Sequence, residues 1–112
     1  MEATPENILV ISGTQQAFAL ASRVLLDAGD RVVLEDPHYR GARQIFASYG
    51  ARVLGVRVDA EGLVPAALPK QASLAVVTPS HQFPTGALLP LSRRVELLEW
   101  ATAKRCWLIE DD

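Results

Sequence analysis

Short apolar runs alternate with longer amphipathic runs along this chain, and that alternation restricts the fold more than any other feature. Ile8 to Ile11, Arg31 to Leu34, Ala51 to Val58, Leu74 to Val77 and Trp107 to Ile109 are aliphatic or β-branched and read as strands. Between them lie helical patterns. Thr14 to Ala28 is closed by Gly29. Tyr39 to Tyr49 carries Ala42, Ile45, Phe46 and Tyr49 at helical spacing and stops at Gly50. Leu91 to Lys104 sets Val95, Leu98 and Thr102 on one side, with Arg93, Arg94 and Glu96 among its polar positions. Strands separated by helices of roughly 10 to 15 residues predict a parallel sheet covered on both faces. The expected fold is α/β, a three-layer α/β/α sandwich with a mainly parallel sheet and right-handed crossovers. A length of 112 residues allows one such domain and no second one.

Composition removes several function classes. The chain is 49% hydrophobic and 21% charged, with a net charge of −2, so no basic surface for nucleic acid is indicated. No stretch is apolar and long enough to span a membrane. The polar, acidic opening Met-Glu-Ala-Thr-Pro-Glu-Asn argues against a secretory signal, and a cytoplasmic location is expected. Cys106, the one cysteine, excludes an internal disulfide and is expected to be a buried, inert thiol. Two histidines and one cysteine, widely spaced, make no zinc signature.

Ligands of such sheets bind outside the carboxyl ends of the strands, and the unusual residues cluster after each apolar run. Ser12-Gly13-Thr14 joins the first run to a helix. Glycine allows close backbone approach, the helix start offers free N–H groups, and two hydroxyls add donors, all suited to a phosphate. A plain βα turn would look the same. Asp36-Pro37-His38-Tyr39 places an aromatic ring at the mouth of the sheet, either to stack on a flat heterocycle or to pack at a helix start. His81-Gln82-Phe83-Pro84-Thr85-Gly86 is a turn built on Pro and Gly. Glu110-Asp111-Asp112 puts three acids at a strand end. They could bind a divalent cation, pair with a protonated ring nitrogen, or stay solvated.

Taken together, in this order and spacing, the four segments resemble the fold-type I pyridoxal-phosphate (PLP) enzymes of the aminotransferase class I/II superfamily. Ser-Gly-Thr-Gln-Gln-Ala, Glu-Asp-Pro-x-Tyr, Thr-Pro-Ser-His-Gln-Phe-Pro-Thr-Gly and Ile-Glu-Asp-Asp most resemble the aminotransferase-like domain of MocR-type regulators of the GntR family. The resemblance covers nearly the whole chain, which it implies to be part of a PLP-binding major domain spanning residues 1–112. It implies that Ser12, Gly13 and Thr14 hold the cofactor phosphate, that Tyr39 stacks on the pyridine ring, and that Asp111 accepts the pyridinium N–H. In most aminotransferases an Asn precedes the Pro-x-Gly turn and bonds the ring hydroxyl. Here that position is Phe83, which leaves Gln82 or His81 as stand-ins.

The resemblance also places the Schiff-base lysine beyond Asp111, and neither Lys70 nor Lys104 matches its context. The chain is therefore expected to be a fragment without a catalytic residue of its own and inactive in isolation. The parent activity is amino-group transfer from an amino acid to a 2-oxo acid. The alternative is an effector-sensing domain that binds PLP and an amine without turnover, its DNA contacts made by a winged-helix domain outside this segment. The full-length parent is expected to be a homodimer. A nucleotide-binding domain using Ser12 to Thr14 is a third reading, in which Tyr39 and Asp111 have no special place. Finally, the family sheet sets two later strands between the first strand and the rest. Ile8 to Ile11 should then lack neighbours, leaving the chain marginal, associated, or rearranged to give that strand a new partner.

Overall fold

Alternate residues of two central strands point into two different hydrophobic cores, and the rest of the fold follows from that. In the computed structural model, which describes residues 2–112, β1 (Arg31–Asp36) and β4 (Leu74–Val77) lie side by side and parallel. Val32, Leu34, Leu74 and Val76 face one core with Phe18, Ala42 and Phe46. Those three come from α1 (Thr14–Leu25) and α2 (Arg40–Ser48). Val33, Ala75 and Val77 face the other core with Leu97 and Ala101 of α3 (Leu91–Lys104). A strand buried on both faces needs apolar residues at every position, which is why these runs are continuous rather than alternating.

The sheet is completed by β2 (Arg52–Asp59), β3 (Gly62–Leu63) and β5 (Trp107–Glu110), in the order β3-β2-β1-β4-β5. All pairings are parallel except β2 with β3. The expected three-layer, mainly parallel sandwich is therefore present. The antiparallel β3 hairpin was not anticipated, since two residues carry no periodic signal.

Three expectations need correction. Ile8 to Ile11 is not a strand: it is unpaired and exposed, with Val10 at 92%. Its apolar character has no partner among the described residues, and no strand rearranges to supply one. Secondly, α1 ends at Leu25 rather than Ala28. Leu26 turns extended, the Asp30 carboxylate accepts the Asp27 N–H at 2.9 Å, and this local turn replaces the last helical bonds. Thirdly, α3 buries Leu97 and Ala101, while Val95, Leu98 and Thr102, which share one side, are exposed. The helix has two apolar stripes, and only tertiary contact decides between them.

Arg93 ties α3 to the β2–β3 hairpin. Its two terminal nitrogens grip both oxygens of Asp59 at 2.7 and 2.8 Å, and one also reaches the carbonyls of Gly62 and Leu63. The Arg93 guanidinium, and then the Glu61 amide, hold the Asp59 carboxyl well below its usual range, at about 2.

Candidate functional site

β1, β4 and β5 run parallel, so the segments that follow them emerge at one edge of the sheet. Tyr39 follows β1, Thr78 follows β4 and Asp111 follows β5. The Asp111 N–H donates to the carbonyl of Val77 at 2.9 Å, which extends the β4–β5 ladder by one step and fixes where that carboxylate stands. His38, Tyr39, Thr78, His81, Phe83, Asp111 and Asp112 then line one open cleft of about 350 Å³.

The Tyr39 ring is the central feature. It stacks near Phe18 of α1, with centroids 6.2 Å apart and planes 20° from parallel, and meets Phe83 edge-on at 6.4 Å. Gly41 makes room for it, because a Cβ there would sit 2.9 Å from Tyr39 Cε2 and 3.0 Å from Gln15 Nε2. The same approach brings the amino end of α1 beside the tyrosine. That end begins at Gly13, whose φ of 91° suits glycine, and no side chain caps it. The first-turn N–H groups after Gly13 are thus open to a ligand, and Ser12 and Thr14 flank them. Burial first, and the negative charge of Asp111 second, push the Tyr39 phenol above its ordinary range.

A buried polar knot holds the cleft wall. Glu35, at the end of β1, is 3% exposed and accepts hydrogen bonds from the Thr78 N–H and hydroxyl and from the Gln82 amide. Gln82 is 1% exposed; its amide nitrogen also reaches the carbonyl of Pro37, and its oxygen accepts from Thr85 N–H and hydroxyl. Both Asp36-Pro37 and Phe83-Pro84 are cis peptides. Sequence reasoning missed Glu35, which reads as a polar residue just past an apolar run. It also offered Gln82 as a ligand contact. That reading is corrected, since the amide is spent on the loop's own backbone and on Glu35. His81 remains exposed and lines the cleft.

Among the described residues two polar atoms here are buried without a partner, His38 Nε2 and Tyr39 Oη. Among the described residues no group of three His, Cys, Asp or Glu is arranged for a metal ion, so the acidic triplet after β5 has no such support. Lys70 and Lys104 lie elsewhere, in a groove with Arg31, Ser73, Arg105 and Trp107 at the opposite, amino edge of the strands. Cys106 is buried, and burial lifts its thiol to about 11. No helix among the described residues is long and apolar enough to cross a membrane.

Comparison with known proteins gives a consistent picture. The family model described as aminotransferase class I and II matches residues 1–112. The HTH-type transcriptional regulator TauR of Rhodobacter capsulatus is 46% identical over 98% of this chain and 23% of its own length. The probable rhizopine catabolism regulatory protein MocR of Rhizobium meliloti is 36% identical over 100% of the chain and 23% of its own. Among solved structures, LysN, the α-aminoadipate aminotransferase of Thermus thermophilus, complexed with N-(5′-phosphopyridoxyl)-L-leucine, superposes with a TM-score of 0.80 at 39% identity. The match covers 89% of this chain and 27% of LysN. The chain spans about a quarter of the length of these relatives.

Proposed function

Because this chain belongs to the class I and II aminotransferase family, we infer that it is the part of an aminotransferase-like protein that holds pyridoxal 5′-phosphate and presents it to an amino acid or amine. The observation that carries this reading is that an aromatic ring, Tyr39, and a carboxylate, Asp111, line one cleft at the carboxyl edge of the parallel strands. When bound, pyridoxal phosphate supplies an electron sink for the α-carbon of an amino acid.

The chain's own residues fit that group. Ser12, Gly13 and Thr14 would take the phosphate on backbone N–H groups and hydroxyls. Tyr39 would stack against the ring, its position already set by Phe18, Phe83 and the space at Gly41. Asp111 would accept the ring N–H and keep that nitrogen protonated. The two unpartnered buried polar atoms also fit a site built to receive a polar ligand. Neither lysine of this chain is at the cleft, so these residues would hold the cofactor by noncovalent contacts alone.

Calorimetric titration with pyridoxamine 5′-phosphate tests this directly, because that form does not react with lysine amines. We expect saturable one-to-one binding that Tyr39→Ala and Asp111→Ala each weaken about tenfold, by analogy with other stacked and charge-assisted contacts. Absence of saturable binding would refute the reading.

A second reading is favoured by the similarity to TauR, whose name marks a helix-turn-helix regulator. In it the same cleft senses an amino acid or amine without turnover, and DNA is bound elsewhere in the parent protein. Amino-acid turnover by the full-length parent would decide for the enzyme. A ligand-dependent change in its DNA affinity without turnover would decide for the regulator.

A further inference from the structure

The histidine beside the stacking tyrosine has one nitrogen committed and the other in want of a partner. The Tyr39 backbone N–H donates to His38 Nδ1 at 2.9 Å. In the neutral ring the accepting nitrogen carries no proton, so the proton sits on Nε2. Nε2–H is thereby a fixed donor, locked in tautomer by the backbone bond on the other side of the ring. It is buried and has no acceptor among the described residues. One residue away, Tyr39 Oη is in the same condition. The two rings lie 5.0 Å apart and line the same cleft, with Phe83 as an apolar wall. Buried donors without acceptors are rare in folded proteins and each costs free energy. A pair of them at one ligand cleft marks a place where the bound molecule supplies the missing atoms.

We propose that His38 is a ligand-contact residue of this cleft, whose Nε2–H donates to an anionic oxygen of the bound vitamin B6 cofactor. The proposal rests on the cofactor reading above and adds a residue that the sequence motifs did not single out. The shared chemistry is an oxygen carrying negative charge, either the ring phenolate or the phosphate. The backbone bond to Nδ1 gives the contact its direction, since it prevents the ring from offering its unprotonated nitrogen instead.

The test uses the 112-residue chain, two probes and two substitutions. Pyridoxamine 5′-phosphate carries both the ring hydroxyl and the phosphate, and pyridoxine carries the ring hydroxyl without the phosphate. His38→Asn keeps an acceptor for the Tyr39 amide and removes the outer donor. His38→Gln places an amide N–H near the reach of Nε2. We expect His38→Asn to weaken pyridoxamine 5′-phosphate roughly tenfold or more, and His38→Gln to recover most of that loss. Equal losses for both probes identify the ring oxygen, whereas a loss confined to pyridoxamine 5′-phosphate identifies the phosphate. Nitrogen-15 spectra of the unsubstituted chain give a readout independent of any variant's folding. Its His38 should show the Nε2–H tautomer, with that proton shifted and slowed in exchange by saturating pyridoxamine 5′-phosphate. Wild-type affinity in His38→Asn for both probes, or a Nε2–H signal unmoved by bound ligand, overturns the role of His38 alone. No binding by the wild-type chain overturns the cofactor reading and this proposal with it.

Discussion

Gln82 spends its whole amide on neighbours, binding Glu35, the Pro37 carbonyl and Thr85 from a position 1% exposed. Removing it leaves the Glu35 carboxylate with Thr78 alone and takes this partner from the Pro37 carbonyl and from Thr85. We expect Gln82→Ala to lower stability by about 2 kcal/mol, within the range for unsatisfied buried polar groups, read from urea denaturation. Cys106 presents a different case, a buried thiol with one weak contact, to the Trp107 carbonyl at 3.5 Å. With its thiol raised to about 11 by burial, the thiolate is scarce at pH 8. Alkylation by iodoacetamide should be slow in the native chain and become rapid only in denaturant. Fast native alkylation would show that the thiol is open to water. Asp59 sets an acid limit. Its carboxyl titrates at about 2 when folded, against 3.8 as the reference. A depressed folded value contributes stability that is complete above the reference and is lost as pH falls toward 2. Asp59→Asn should therefore flatten the decline in stability between about pH 4 and 2 and lower stability at pH 7. An unchanged acid limb would mean that Arg93 does not hold this carboxyl in solution.

At the scale of elements, the aliphatic runs divide into those that find cover and those that do not. Phe46 of α2 is fully buried against Phe18, with ring centroids 5.2 Å apart. Phe46→Ala should cost about 3–5 kcal/mol, the usual range for removing a buried aromatic ring. Val10 lies in an equally apolar run but is 92% exposed. Val10→Ser should change stability by no more than about 0.5 kcal/mol, as exposed sites do. The pair is a direct check on the placement of Ile8 to Ile11, because a large cost at Val10 would restore it to the sheet. Helix α3 shows the same division within one element. Leu97 is buried, and Leu98, one residue on, is 58% exposed. The sequence pattern admits both stripes, and contact with Val33, Ala75 and Val77 selects the first.

Across the whole molecule, two of the exposed apolar side chains, Leu98 on α3 and Trp107 on β5, line one groove. Among the described residues β5 has a neighbour only on its β4 side. An open strand edge beside apolar side chains favours pairing with another chain. We expect the isolated chain to associate with rising concentration in sedimentation experiments, and Leu98→Lys with Trp107→Lys to reduce that association. A strictly monomeric chain with a sharp two-state transition would contradict this.

How much could be read without coordinates follows from the range over which each signal acts. The periodic patterns alone determined the α/β class, the parallel core and the positions of four of the five strands, because burial on two faces writes itself into consecutive residues. The order of short motifs after those runs pointed to Tyr39 and Asp111 at one edge, since parallel strands all end on the same side. Tertiary structure alone decided the rest. Whether Ile8 to Ile11 pairs depends on partners distant in sequence, and an apolar run looks the same with or without them. The buried knot of Glu35, Thr78 and Gln82 joins residues more than 40 positions apart. The free nitrogen of His38 depends on a bond to its own neighbour's backbone and on what surrounds it in space. Hydrogen-bond partnership and burial are properties of the folded arrangement, and no local sequence pattern encodes them.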